Sequence, residues 1–157
     1  MTDTLNIRNC VRAIILRGDK ILLLRKVYED GREQHVLPGG AQDFGETLED
    51  ALHRECEEEI GERTTIIDLM YLADYFKPRP QSSAGYRHQV EYLFRCKLPD
   101  SYEPHNGLHP DKHQHSVVWV DLAQLARVQL SPAGLRQHLG RIKTDSHPVY
   151  LGTLTHD

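Results

Sequence analysis

Residues 9 to 16 (NCVRAIIL) and 20 to 27 (KILLLRKV) are β-branched and aliphatic runs on either side of Gly18-Asp19, a pattern that predicts a β-hairpin. Asp30-Gly31 marks the next turn. His35-Val36-Leu37 is a short extended run closed by Pro38-Gly39-Gly40, after which the chain enters a loop. Further strands are predicted at 67–76 (IDLMYLADYF), 88–98 (HQVEYLFRCKL) and 116–120 (SVVWV). Asp121 to Ala126 reads as a short helical turn, and Ser131-Pro132 as an N-cap and first-turn pair opening a helix through about Leu139. From Arg141 onward no element is assigned. Strands interrupted by helices at irregular intervals predict an α/β or α+β layered fold around a mixed sheet, with the long connections at 77–87 and 99–115 as places for specificity.

The clearest helical spacing runs from Leu48 to Ile60. Thr47 is its N-cap, Asp50 completes a capping box, and Gly61 supplies the left-handed residue that ends it. At about 100° per residue, Leu48, Leu52, Cys56 and Ile60 form one apolar stripe, which packs on the sheet. Glu55, Glu58 and Glu59 share a wedge that overlaps the edge of that stripe, whereas Glu49, Asp50 and Glu57 point away from it. Carboxylates at this spacing repel one another, and a helix C-terminus disfavours each by a few tenths of a kcal/mol to about one. Arg54 reaches Glu58 at i+4, but one guanidinium cannot neutralise three carboxylates. The wedge is either a solvated acidic face or a site for a hard divalent cation, which takes oxygen ligands and leaves positions for water and phosphate.

Composition narrows the setting. A chain of 157 residues fits a single domain able to build its own core, and 39% apolar with 27% charged residues is ordinary for a globular protein. No apolar run is long enough for a membrane span, and MTDTLNIRN has no secretory pattern, so a cytoplasmic protein without a membrane partner is expected. Cys10, Cys56 and Cys96 are widely spaced and read as reduced structural thiols. A net charge of −4 argues against nucleic acid as a partner.

From Gly40 to Glu62 the sequence is GAQDFGETLEDALHRECEEEIGE. It resembles the signature box of the Nudix hydrolases, Gly-x5-Glu-x7-Arg-Glu-U-x-Glu-Glu-x-Gly-U with U aliphatic. Gly40, Glu46, Arg54, Glu55, Glu58, Glu59 and Gly61 all match, and Leu37-Pro38-Gly39 is similar to the usual lead into the box. Cys56 and Glu62 depart from the aliphatic positions, the second placing a charge where an apolar side chain normally packs. The resemblance extends over roughly residues 9 to 140 and implies a Nudix-like α/β/α sandwich around a mixed β-sheet. It also implies hydrolysis of a phosphoanhydride in a nucleoside diphosphate linked to a group X, with Mg²⁺ or Mn²⁺ as cofactor. Carried over by position, Glu58 and Glu59 are the main metal carboxylates, Glu55 binds metal or deprotonates water, and the Gly40 carbonyl joins the coordination. Arg54 and Glu46 take orienting roles. Gly39, Gly40 and Gly45 let the loop backbone come close to ion and phosphates.

Outside the box the readings diverge. An additional ligand or base is unassigned among Glu91, Glu103, Asp111, Gln114 and His115. His105, His109, His113 and His115 raise a rival soft-metal site, since His113 and His115 would share a face if extended, and a solvated loop is weighed against it. Arg79, Tyr86, Arg87 and His88 flank the first long loop and are candidates to grip phosphate or stack on a base. Pro78, sixteen residues beyond Glu62, resembles a proline of ADP-ribose-cleaving members and leans the substrate toward an ADP-ribose or NDP-sugar. A house-cleaning nucleoside triphosphate pyrophosphatase is the competitor, and a Nudix-like nucleotide sensor without turnover is the other class. A small-molecule nucleotide is the expected partner, with a homodimer left open.

Overall fold

The structure, a computed structural model, describes residues 5–143 and 148–157. Strands β1 (Ile7–Arg17) and β2 (Lys20–Val27) form the predicted hairpin, and Gly18 takes the positive φ of 60° that its turn requires. There follow β3 (Glu33–Val36), β4 (Gly39–Ala41), α1 (Leu48–Ile60), β5 (Thr65–Pro78), β6 (Tyr86–Lys97) and β7 (Gln114–Asp121). A 3-10 segment (Leu122–Arg127), α2 (Leu135–Leu139) and β8 (Tyr150–Leu154) complete the order.

β1 runs parallel to β6 from Ile7↔His88 to Ile15↔Cys96; β6 is antiparallel to β5, and β5 is parallel to β8. After its hairpin contact β2 leaves β1 and pairs instead with β3 and β7, both antiparallel. The edge of β1 thus freed is taken by β4, through Cys10↔Ala41, Val11↔Gly40 and Arg12↔Gly39. The mixed sheet therefore splays at β1, and the splay opens the cleft described below.

Apolar alternation explains the layers. In β2, Leu22 and Leu24 face α1 with Val11, Ala13, Ile15, Leu52, Cys56 and Ile60. Ile21 and Leu23 face the opposite way, with Ile14, Tyr71, Leu93, Leu125, Leu135 and Leu139. A strand covered on both sides reads as an unbroken apolar run, which is why KILLL shows no period of two. The result is a mixed α/β sandwich, with α1 on one face and the 3-10 segment and α2 on the other.

Both ends of α1 are as the sequence predicts. Thr47 Oγ1 accepts from Asp50 N at 3.0 Å, Thr47 N donates to Asp50 Oδ2 at 3.1 Å, and Gly61 is left-handed with φ 73°. No basic residue lies in the last turn. Its carbonyls are satisfied instead by the 99–115 connection. His109 N donates to Glu58 O and Gly107 N to Glu59 O, each at 3.0 Å; Gln114 Nε2 donates to Glu59 O and Tyr102 Oη to Ile60 O, each at 2.8 Å. A Cβ on Gly107 would lie 2.3 Å from Glu58 O, so this strap needs glycine to come so close.

Several expectations change. The helix expected from Ser131-Pro132 begins only at Leu135, and the Ser131–Pro132 peptide is cis. Amides expected in its first turn donate elsewhere: Ser131 N to His35 O, Ala133 N to His156 O and Gly134 N to Thr155 O. Gly39 to Ala41, read as loop, are the strand β4, because Gly39 sits so close to β1 that a Cβ would fall 1.9 Å from Val11 O. β8 lies in the stretch where no element was assigned. The three cysteines are free and buried.

Removing the buried hydroxyl in Tyr102→Phe leaves the Ile60 carbonyl without its side-chain donor. Urea denaturation is expected to show a loss of about 1–2 kcal/mol with an unchanged slope.

Candidate active site

Of the four carboxylates in the last two turns of α1, Glu55, Glu58 and Glu59 lie in unequal surroundings. Glu59 is 2% exposed, and its Oε1 accepts from Gly39 N at 2.7 Å. Burial first, then the fields of Glu55 and Asp111, push its pKa well above the usual carboxylate range. Among the described residues it has no ion-pair partner within 4.0 Å. Glu55 is also raised, chiefly by burial, with Arg54 opposing. A Cβ on Gly40 would stand 2.6 Å from Glu55 Oε1, so the glycine is what lets this carboxylate lie against the β4 backbone. Glu58 is the most open of the three, its side chain 34% exposed.

Arg54 ties the loop to the helix. Its Nε and Nη2 bind Glu46 at 2.7 and 2.9 Å, and Nη2 also reaches Ala41 O at 3.0 Å. Nη1 is left for Glu55 at 3.0 Å and Glu58 at 3.5 Å. The paired fork holds the Glu46 carboxyl down at about 2. Glu46 in turn accepts from Asp43 N at 2.8 Å and takes the Gln42 amide on its carbonyl at 2.7 Å, which fixes the 42–46 loop.

The donors gathered on this helix end and on β4 are hard oxygens: carboxylates of Glu55, Glu58 and Glu59 and the backbone of Gly40. Such a set suits Mg²⁺ or Mn²⁺, and a nearly unexposed carboxylate without a cation is a place for one. Among the described residues no three His, Cys, Asp or Glu side chains already converge as a chelating group. Glu55 and Glu58 are turned to Arg54 Nη1, and Glu59 to the Gly39 amide.

Beside Glu55 lies a cleft of about 480 Å³ in the splay of the sheet. Of the residues considered for an additional ligand, Asp111 and Glu91 line it. Asp111 pairs with Lys26 at 2.7 Å, and Glu91 with Arg12 at 3.2 Å. Gln114 braces the end of α1, His115 Nδ1 faces Arg25 at 3.1 Å, and Glu103 is exposed. His113 packs on Tyr28 with ring centroids 4.5 Å apart, so His113 and His115 are directed to different partners. Arg87 lines both this cleft and a wider outer groove. Arg79 and His88 line only the outer groove, and His88 Nε2 lies 2.8 Å from Asp74 Oδ1.

Sequence reading missed Arg12, Lys26, Lys77, Tyr28 and Gln89, all of which line the cleft. A signal was present. Arg8 and Arg12 alternate into Ile14, and Arg87, Gln89 and Glu91 alternate into Leu93, so polar side chains occupy the inward positions of two central strands. Such a reversal marks the end of a core and the floor of a cavity.

Residues 7–139 match the sequence profile of the NUDIX domain. A Caenorhabditis elegans protein named as a nudix hydrolase is 30% identical over 131 residues, spanning 80% of this chain and 32% of the relative's own length. The chain therefore belongs to the NUDIX family. Among solved structures, a NUDIX hydrolase from Nitrosomonas europaea superposes with a TM-score of 0.68 at 23% identity, over 96% of this chain and 79% of that one. A UDP-X diphosphatase gives 0.67 at 22% identity, covering 95% and 68%. An ADP-ribose pyrophosphatase from Streptococcus suis gives 0.60 at 20% identity, covering 93% and 97%. At these identities the likeness is one of fold.

Because the folded Glu46 carboxyl lies below its usual 4.5, its pairing with Arg54 stabilises fully above about 4.5 and is lost as pH falls toward about 2. Urea midpoints of wild type and Glu46→Gln are expected to differ most at neutral pH and to converge over that window.

Proposed function

We propose that the chain is a divalent-metal-dependent hydrolase that cleaves a phosphoanhydride in a nucleoside diphosphate linked to another group X. The observation that carries this reading is the nearly unexposed Glu59 carboxylate, lacking a paired cation among the described residues and crowded by Glu55, which itself lines a cleft. Glu58, Glu59 and Glu55, with the Gly40 carbonyl, are the groups that would hold Mg²⁺ or Mn²⁺. The bound ion supplies neutralisation of charge on the phosphate oxygens and acidifies water.

Each residue then has a task. The Gly39 amide fixes one oxygen of Glu59, leaving the other available. Arg54, anchored by Glu46 and Ala41, steers Glu55 and Glu58 toward each other against their repulsion. Glu55 is the proposed base, and burial raises its proton affinity in the direction such a role requires. The water oxygen bonds to phosphorus, its proton passes to the base, and the bridging P–O bond breaks with its electron pair leaving on the departing phosphate. Asp111, whose field reaches Glu59, is the preferred extra carboxylate.

The position of Pro78 leans the substrate toward ADP-ribose or another NDP-sugar, with a nucleoside triphosphate as the second reading. That second reading is favoured by the surplus of cations in the cleft, where Arg8, Arg12, Lys26, Lys77, Arg87 and Lys112 face Glu55, Glu91 and Asp111. The site is carried by a single NUDIX domain acting on a small-molecule nucleotide in the cytoplasm, as a monomer or homodimer. No helix among the described residues is long and apolar enough to cross a membrane.

Hydrolysis is tested with ADP-ribose, nucleoside triphosphates and dinucleoside polyphosphates in Mg²⁺ or Mn²⁺, following nucleotide release. Glu58→Gln is expected to lower kcat by about two to four orders of magnitude while the folded state is retained. Wild-type rates in that variant would overturn the assignment, and nucleotide binding without turnover across the panel would make the protein a sensor.

A further inference from the structure

The cleft that Glu55 lines also holds a group of cations. Arg12 on β1, Lys26 on β2 and Lys77 on β5 come from three strands and line one cavity. Two of them are paired. Arg12 gives Nε and Nη2 to Glu91, leaving Nη1 uncommitted among the described residues, and Lys26 binds Asp111. Lys77 has no ion-pair partner within 4.0 Å among the described residues. Lys77 is an exposed residue, and its pKa is still lowered, first by desolvation and then by the fields of Arg12 and Lys26, ahead of the opposing effects of Asp111 and Glu91. Three cations thus meet two carboxylates, and the excess charge sits where a ligand would lie.

The aromatic rings in this part of the cleft are already engaged. Tyr28 carries the Arg32 guanidinium 4.4 Å from its ring centre and His113 at 4.5 Å. Tyr75 is 3% exposed and stacks on His156. A nucleobase would find little open ring face here. The outer groove, joined to the cleft at Arg8, Ala41 and Arg87, offers the fully exposed Phe44 and the exposed Tyr86.

Resting on the hydrolase reading above, we propose that Arg12, Lys26 and Lys77 form a phosphate-binding pole and that the group X is itself phosphorylated. The base then lies outward against Phe44 and Tyr86, and the phosphate of X lies inward on the three cations. X is either phosphate, as in a nucleoside triphosphate, or a sugar that carries a phosphate of its own. Within that reading the surplus of cations outweighs the lean that Pro78 gives toward a plain NDP-sugar, because an unphosphorylated sugar brings no anion to Lys77. Lysine suits this task because an ammonium acts as a point charge on phosphate oxygens.

The test uses the full chain with Mn²⁺ and three substrates: a nucleoside triphosphate, a nucleoside diphosphate sugar, and the same compound phosphorylated on the sugar. Wild-type kcat/KM is expected to be at least about tenfold higher for a phosphorylated X, and whichever of the two phosphorylated compounds leads identifies the source. In Lys77→Gln the ratio of kcat/KM between phosphorylated and unphosphorylated X falls about tenfold, through KM, and Lys77→Arg restores it. Preference for the unphosphorylated sugar, or an unchanged ratio in Lys77→Gln, overturns the proposal. Should wild type cleave none of the three, the hydrolase reading fails, and calorimetry with inorganic pyrophosphate decides the pole separately. Binding about tenfold weaker in Lys77→Gln supports it, and equal binding overturns it.

Discussion

A carboxylate held at 2% exposure beside a second carboxylate, with one backbone amide as its direct donor, is the constraint around which this protein is arranged. Removing Glu59 from water costs several kcal/mol if the group stays charged, far more than the helix dipole or the pairwise repulsion along α1. The surroundings lessen that cost without cancelling it. The 99–115 strap supplies donors to the last carbonyls of α1, which relieves the helix terminus of its unpaired acceptors. Arg54 is occupied mainly by Glu46 and Ala41 and lends one nitrogen to Glu55 and Glu58. What remains uncancelled at Glu59 is a negative charge, and with it the proposed capacity to hold a cation.

The sheet gives this capacity an address. β2 leaves β1 after its turn, β4 occupies the freed edge, and the departure opens a cleft with the acidic helix end on one side. Gly39 and Gly40 are glycines because the β1 carbonyl and the Glu55 carboxylate stand where their Cβ atoms would be. The same close approach that builds β4 delivers the Gly39 amide to Glu59. Fold and site are here one set of contacts. The cations on β1, β2 and β5 line the same cleft as Glu55, as the proposed ligand, carrying both metal and phosphate, requires.

Much of this was legible because local rules carry it. The capping box, Gly61 and the apolar stripe defined α1 and so the wedge of Glu55, Glu58 and Glu59, and the aliphatic runs defined the hairpin and the sheet. What was not legible depends on partners distant in sequence. β4 is a strand only because β1 is there to receive it, and α2 starts late because amides near Pro132 bond to His35 and the C-terminal segment. The cationic floor was overlooked for a similar reason. Lys26 and Lys77 are unremarkable on their own strands, Arg12 is marked only by its inward position, and the pairing of the strands is what brings the three into one cavity.

The central claim, that the metal-free site is strained by its own negative charge, is tested most directly by the thermal stability of Glu59→Gln. Because the folded Glu59 pKa is raised, the strain is absent at low pH and grows as pH rises above the usual carboxylate value of 4.5. At pH 8 in chelator, the variant should melt higher than wild type by roughly 2–4 °C, corresponding to about 1 kcal/mol. Saturating Mn²⁺ should raise the wild type more than the variant and so narrow or reverse the gap. A variant that melts lower than wild type in chelator, with the same gain from Mn²⁺ in both proteins, would contradict the account.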